Sequence, residues 1–91
     1  MTGRRASPRT RYDGATFRAL RTHRGVDLYT LLHTANHRFG FGVGSHEHVR
    51  QWERGQRNIS DRLAHILAAA LADASGIPTT PTDFHHPRAA A

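Results

Sequence analysis

The chain contains no cysteine and no lysine. Without cysteine there can be neither a disulfide framework nor a cysteine-ligated zinc site, so stability must come from packing. Long apolar runs are missing too. No stretch approaches the about 20 residues that a helix needs to cross a bilayer. Residues 1–11 carry four arginines but no apolar segment follows them, so they do not read as a secretory signal, and the expected location is the cytoplasm. Acidic residues are scarce, 7 against 13 basic ones. The 91 residues leave room for one domain, with a modest core and marginal stability.

What is present is arginine. All 13 basic side chains are of this type, and the formal charge is +6 with histidine neutral. A GC-rich coding sequence accounts for arginine in place of lysine but not for the positive balance. The planar guanidinium matches phosphates and the guanine edge, so a small domain of this composition points to nucleic acid first and to a membrane surface second.

Residues 1–11 are nearly devoid of apolar side chains and read as a disordered basic arm. In residues 13–24, Phe17 and Leu20 stand three apart and the arginines fall elsewhere, which predicts a short amphipathic helix ended by Gly25. Asp27 is the expected N-cap of a second helix running to about His37, its carboxylate accepting from the free amides of the first turn. Leu28, Leu31, Leu32 and Ala35 form its apolar stripe, and Val26 is placed to staple onto Leu31. The segment 39–44, FGFGVG, interrupts helicity. Ser45 is the predicted cap of a third helix with Val49 and Trp52 on one face and Gly55 at its end. After a polar connector, Ser60 or Asp61 caps a fourth, alanine-rich helix with Leu63, Ile66, Leu67, Ala70 and Leu71 on one stripe, ending near Gly76. Residues 77–91 form a partly ordered tail in which Ile77 and Phe84 are expected to fold back onto the core.

Four pieces in order carry a resemblance: Leu20-Arg21-Thr22-His23-Arg24-Gly25, Leu31-Leu32, Val49-Arg50-Gln51-Trp52-Glu53-Arg54-Gly55 and Leu63-Ala64-His65-Ile66-Leu67-Ala68-Ala69-Ala70-Leu71. From Phe17 to Leu71 the chain resembles the Cro/cI-type (XRE) helix-turn-helix family. The resemblance implies an all-α, four- or five-helix, lambda-repressor-like domain over residues 12–76. It also implies a sequence-specific transcriptional regulator of the repressor kind, with residues 45–54 as the recognition helix in the major groove of double-stranded DNA. Val49 follows Leu32 by 17 positions, more than in the family, so the turn between helices 2 and 3 is several residues longer. Loop-closure cost grows slowly enough with length to allow this.

An α-helix fits the major groove and presents its first turns to base edges. With Val49 and Trp52 inward, His46, Glu47, Arg50 and Gln51 face outward. Gln51 can read adenine, Arg50 guanine, and Glu47 can accept from cytosine. The family resemblance makes His46, Glu47 and Gln51 base readers, and it places Ser45, Arg54, Arg57 and Asn58 where phosphates are contacted. Such contacts set register without reading sequence. Glu53 is out of place on a DNA site; the resemblance implies a structural role, paired with Arg21 or a nearby arginine. Arg4, Arg5, Arg9 and Arg11 form an arm that can track phosphates or enter a minor groove. Because one small domain contacts few bases, a homodimer on paired half-sites is expected.

Other chemistries are weaker. Among eight histidines, His33 and His37 have the i, i+4 spacing of metal ligands, but with no cysteine and no third ligand nearby in sequence no metal is expected, and no cofactor either. Gly40, Gly42 and Gly44 do not have the dinucleotide-binding spacing and follow no strand. No nucleophile, base and acid form a catalytic set, and the domain is too small for a deep cleft, so an enzyme is not expected. RNA binding would rest on charge alone, since no aromatic stacking platform is visible. The competing reading is an adaptor that keeps the helix-turn-helix fold and binds a protein partner through the 39–44 loop, where Phe39, Phe41 and Val43 are exposed.

Overall fold

Four helices and one 3-10 turn follow one another in the computed structural model, which describes residues 11–40 and 46–85: α1 (Gly14–His23), α2 (Leu28–Phe39), α3 (His46–Glu53), α4 (Asp61–Ser75) and the turn Pro81–Phe84. The four helices form a compact all-α bundle. α2 lies along α4, α1 lies against α3, and the 3-10 turn bridges α1 and α4.

The local chemistry explains these elements. In α2, Leu28, Leu31, Leu32 and Ala35 are buried on one stripe, and the helix runs two residues past the predicted end. It stops where Gly40 enters the left-handed region at φ 66°, which a residue without Cβ adopts at little cost. Asp27 occupies the N-cap position with extended backbone, but its side chain closes no capping hydrogen bond, contrary to the sequence expectation. The Thr30 hydroxyl beside it holds the Asp27 carboxyl below the ordinary carboxylate range. At α4 the choice between two caps is decided: the Ser60 hydroxyl accepts from the Leu63 amide at 3.1 Å. Leu63, Leu67, Ala70 and Leu71 are buried on the predicted stripe of α4, which is wider than expected. Ala64 and Ala68 are buried as well, and Ile66 is only half-buried.

The chain after α4 completes the core. Phe84 is fully buried, whereas Ile77 is 44% exposed and does not fold back as expected. The reason is the turn itself. Thr80 and Asp83 form a reciprocal capping box around Pro81, with the Thr80 amide donating to Asp83 Oδ2 at 3.0 Å. This aims the Phe84 ring inward, 4.9 Å from Phe17 and 5.8 Å from Trp52 between ring centroids. The Asp13 amide donates to the Phe84 carbonyl at 2.7 Å, and Tyr12 and His85 form an antiparallel bridge. The two ends of the described chain are thereby tied together.

Arg11, assigned from sequence to the disordered arm, is held in place by this tie. Its Nη1 donates to Asp61 Oδ1 at 3.1 Å, beside the Tyr12 hydroxyl, which donates to the same oxygen at 2.5 Å. The carboxylate keeps the Tyr12 proton in place, raising its pKa, and the hydrogen bond from Tyr12 holds the Asp61 carboxyl below its ordinary value. Arg4, Arg5 and Arg9 lie outside the described residues.

Candidate nucleic-acid interface

α3 is fastened by three side chains on one face. Val49 and Trp52 are buried in the core, and Trp52 Nε1 donates to the Tyr12 carbonyl at 3.2 Å. The third is Glu53, only 5% exposed. Its two carboxylate oxygens accept from Arg21 Nε at 2.9 Å and Arg21 Nη2 at 2.8 Å, and Arg21 Nη1 donates to the Val26 carbonyl at 3.0 Å. This is the Arg21–Glu53 pairing expected from sequence. Bidentate geometry holds both planar groups in register and locks α3 to α1.

What makes this fastening possible is Gly14. A Cβ there would overlap the Trp52 carbonyl and come within 2.8 Å of the Glu53 Cα, so α1 approaches the backbone of α3 directly. Nothing in the local spacing pointed to this glycine; its position in the first turn of a helix has no helical rationale.

With that face buried, the opposite one is open. Glu47, Arg50, Arg54 and Arg57 are exposed, and His46 and Gln51 are half-buried. The structure brings the four predicted base readers together in one chain of contacts. Arg50 Nη2 lies 3.3 Å from His46 Nε2, and Arg50 Nε lies 3.8 Å from Glu47 Oε1. Gln51 Nε2 donates to Glu47 Oε2 at 3.3 Å, and Arg57 Nη1 donates to Gln51 Oε1 at 3.5 Å. These contacts are long and solvent-exposed, so each is weak and readily exchanged for an external partner. Asn58 lies on the connector after α3, where its carbonyl is 3.2 Å from His48 Nε2. Ser45 and residues 41–44 of the loop lie outside the described residues.

Arg18 joins this surface unannounced by sequence. With Arg50 and Arg54 it rims a crevice of about 100 Å³ that is also lined by Leu28 and the Arg21–Glu53 pair. Neither Arg18 nor Arg54 has a side-chain partner among the described residues. The available signal was spacing: Arg18 stands three positions before Arg21, one turn along the same helix.

No protein-family model, curated protein or solved structure matches this chain. The surface therefore stands on its own chemistry. Arg18, Arg50, Arg54 and Arg57 set four guanidiniums against the single exposed carboxylate of Glu47, since Glu53 is already neutralised. Such a surface attracts anions and offers both donors and acceptors to planar hydrogen-bonding edges. Among the described residues, no helix is long and apolar enough to cross a membrane, and no group of three or more His, Asp or Glu side chains is placed to hold a metal.

Proposed function

We propose that the chain is a sequence-specific double-stranded-DNA-binding transcriptional regulator of lambda-repressor-like fold, acting as a repressor. In this reading α3 lies in the major groove. Gln51, Arg50, Glu47 and His46 face base edges, while Arg54, Arg57, Asn58 and Arg18 face phosphates. Two copies bind paired half-sites.

One observation carries the reading: α3 is anchored by Val49, Trp52 and Glu53 on one side and exposes a network of planar polar side chains on the other. A single exposed helix is the element whose width suits the major groove, and Arg, Gln and Glu are the side chains that pair with guanine, adenine and cytosine edges there. The Arg21–Glu53 pair gives further support to the Cro/cI-type reading. A carboxylate within a DNA-facing helix repels phosphate unless it is neutralised, and here it is buried and paired. α3 packs more extensively against α1 than against α2, so in this reading α1 and α3 are presented to DNA together.

The test is binding-site selection with the full chain, followed by salt titration on the enriched duplex. Enrichment of a palindrome is expected, with log K falling against log salt at a slope of about −3 or steeper per protomer, as neutralisation of several phosphates requires. No enrichment together with a slope near zero rejects DNA binding and turns attention to a protein partner.

A further inference from the structure

We propose that His33 and His37 form a two-imidazole chelate for a divalent transition-metal ion on the outer face of α2. The two residues are one helical turn apart. Their rings lie 6.0 Å apart between centroids and within 2° of parallel, and both side chains are exposed on the side of α2 opposite the buried Leu28, Leu31, Leu32 and Ala35. Histidines four apart on a helix are the pairing through which two imidazoles reach one ion. Each ligating nitrogen sits about 2.0–2.1 Å from such an ion, so the rings need only tilt toward each other. Side-chain rotation on an exposed face allows this without moving the backbone.

Three of the other described histidines are already engaged, and the remaining two, His23 and His85, stand at no i, i+4 spacing from another histidine. His46, His48 and His65 each have a ring nitrogen within hydrogen-bond distance of Arg50, the Asn58 carbonyl and the Asp61 carbonyl respectively. The ring nitrogens of His33 and His37 have no such partner among the described residues. Tyr29, 69% exposed, stacks on His33 at 6.3 Å and 18°. It stands as a wall on the N-terminal side, so the open side of His33 is the one facing His37. Arg38, next to His37 in the chain, is paired with Asp73 at 3.3 Å. His37 also lies in the last turn of α2, where the helix dipole favours positive charge.

Two ligands leave the remaining coordination positions to water or an outside donor, so the ion belongs to the borderline class that imidazole suits: Cu²⁺, Ni²⁺ or Zn²⁺. The expected order of affinity has Cu²⁺ first. The chelate exists only while α2 is helical, so bound metal stabilises the fold by linkage. None of this depends on the DNA-binding reading, which uses a different surface.

The experiment uses the untagged full chain in metal-free buffer, titrated calorimetrically with CuCl₂, NiCl₂ and ZnCl₂ in turn, with thermal melts at each ion concentration. One equivalent is expected to bind, Cu²⁺ most tightly, and the melting temperature is expected to rise with ion concentration. His33→Gln and His37→Gln should each weaken binding at least tenfold and abolish the rise, while His65→Gln on α4 changes neither. Both substituted positions are exposed, and an unaltered metal-free melt shows that the variants fold. Failure to bind one equivalent, or binding that survives in both His33→Gln and His37→Gln, overturns the proposal.

Discussion

Glu53 shows how a single side chain serves two needs at once. Its carboxylate sits in the last turn of the helix that presents the basic surface, yet it contributes no exposed negative charge because Arg21 takes both oxygens. Removing one partner of a buried ion pair leaves the other charge uncompensated, at a cost of about 3–5 kcal/mol. Glu53→Gln is therefore expected to lower the urea midpoint sharply and, if α3 reads DNA, to leave base preference unchanged in the folded fraction. The exposed network behaves differently. If α3 reads DNA, Gln51→Ala relaxes selection at one base pair, whereas Arg57→Ala weakens all sequences alike and lowers the salt slope by about 1. The two are joined by the 3.5 Å contact between their side chains, so the double variant is expected to fall short of additivity. Equal and sequence-blind losses from the two single variants would remove Gln51 from the readers. At this scale the Glu53 pairing with Arg21 or a nearby arginine was implied by the resemblance to the helix-turn-helix family. The role of Arg18 was not, because which neighbouring helix borders a residue is not contained in its own periodicity.

At the scale of elements, the decisive contact is between α1 and α3. Local propensity and tertiary contact make opposite demands on Gly14. Replacing glycine by alanine in a helix is favourable by about 1 kcal/mol when nothing else intervenes. Here the added methyl meets the backbone of Trp52 and Glu53, which cannot rotate away as a side chain can. Overpacking of this kind costs about 1–3 kcal/mol, and more where backbone must shift, so Gly14→Ala is expected to destabilise. The change should be visible as a lowered melting temperature and a red shift of Trp52 fluorescence as α3 loosens. A melting temperature equal to or above that of the parent would show that α1 does not rest on α3 in this way. Element positions themselves were well marked in the chain: the apolar stripe of α2 follows from periodicity alone, and capping narrowed the start of α4 to Ser60 or Asp61. The burial of Ala64 and Ala68 beside the predicted α4 stripe did not follow, because small residues carry little apolar signal.

At the scale of the whole molecule, the bundle is closed by its own ends. Phe84 fills the space between Phe17, Trp52 and Tyr12, and Phe84→Ala is expected to cost about 3–5 kcal/mol in a urea titration, a large part of the stability of a domain this size. Ile77→Ala, on an exposed residue, should change it by no more than about 0.5 kcal/mol. The Tyr12–Asp61 hydrogen bond adds a pH signature. The fold raises the Tyr12 pKa above 10.0, so that contribution is complete below about pH 10 and lost as the pH rises further. The fold lowers the Asp61 pKa below 3.8, so its contribution is complete above about pH 4 and lost as the pH falls. Tyr12→Phe should flatten both limbs of a plot of urea midpoint against pH; unchanged limbs would show that other groups govern them. By itself the sequence determined the helices and the amphipathic face of α3, because periodicity acts over a few residues. Only the tertiary structure decided that Phe84 rather than Ile77 closes the core, that α1 rests on α3 through a bare glycine, and that Arg18 joins the basic surface. Each of these is a meeting of distant segments, and the shape and space at such a meeting depend on both sides at once.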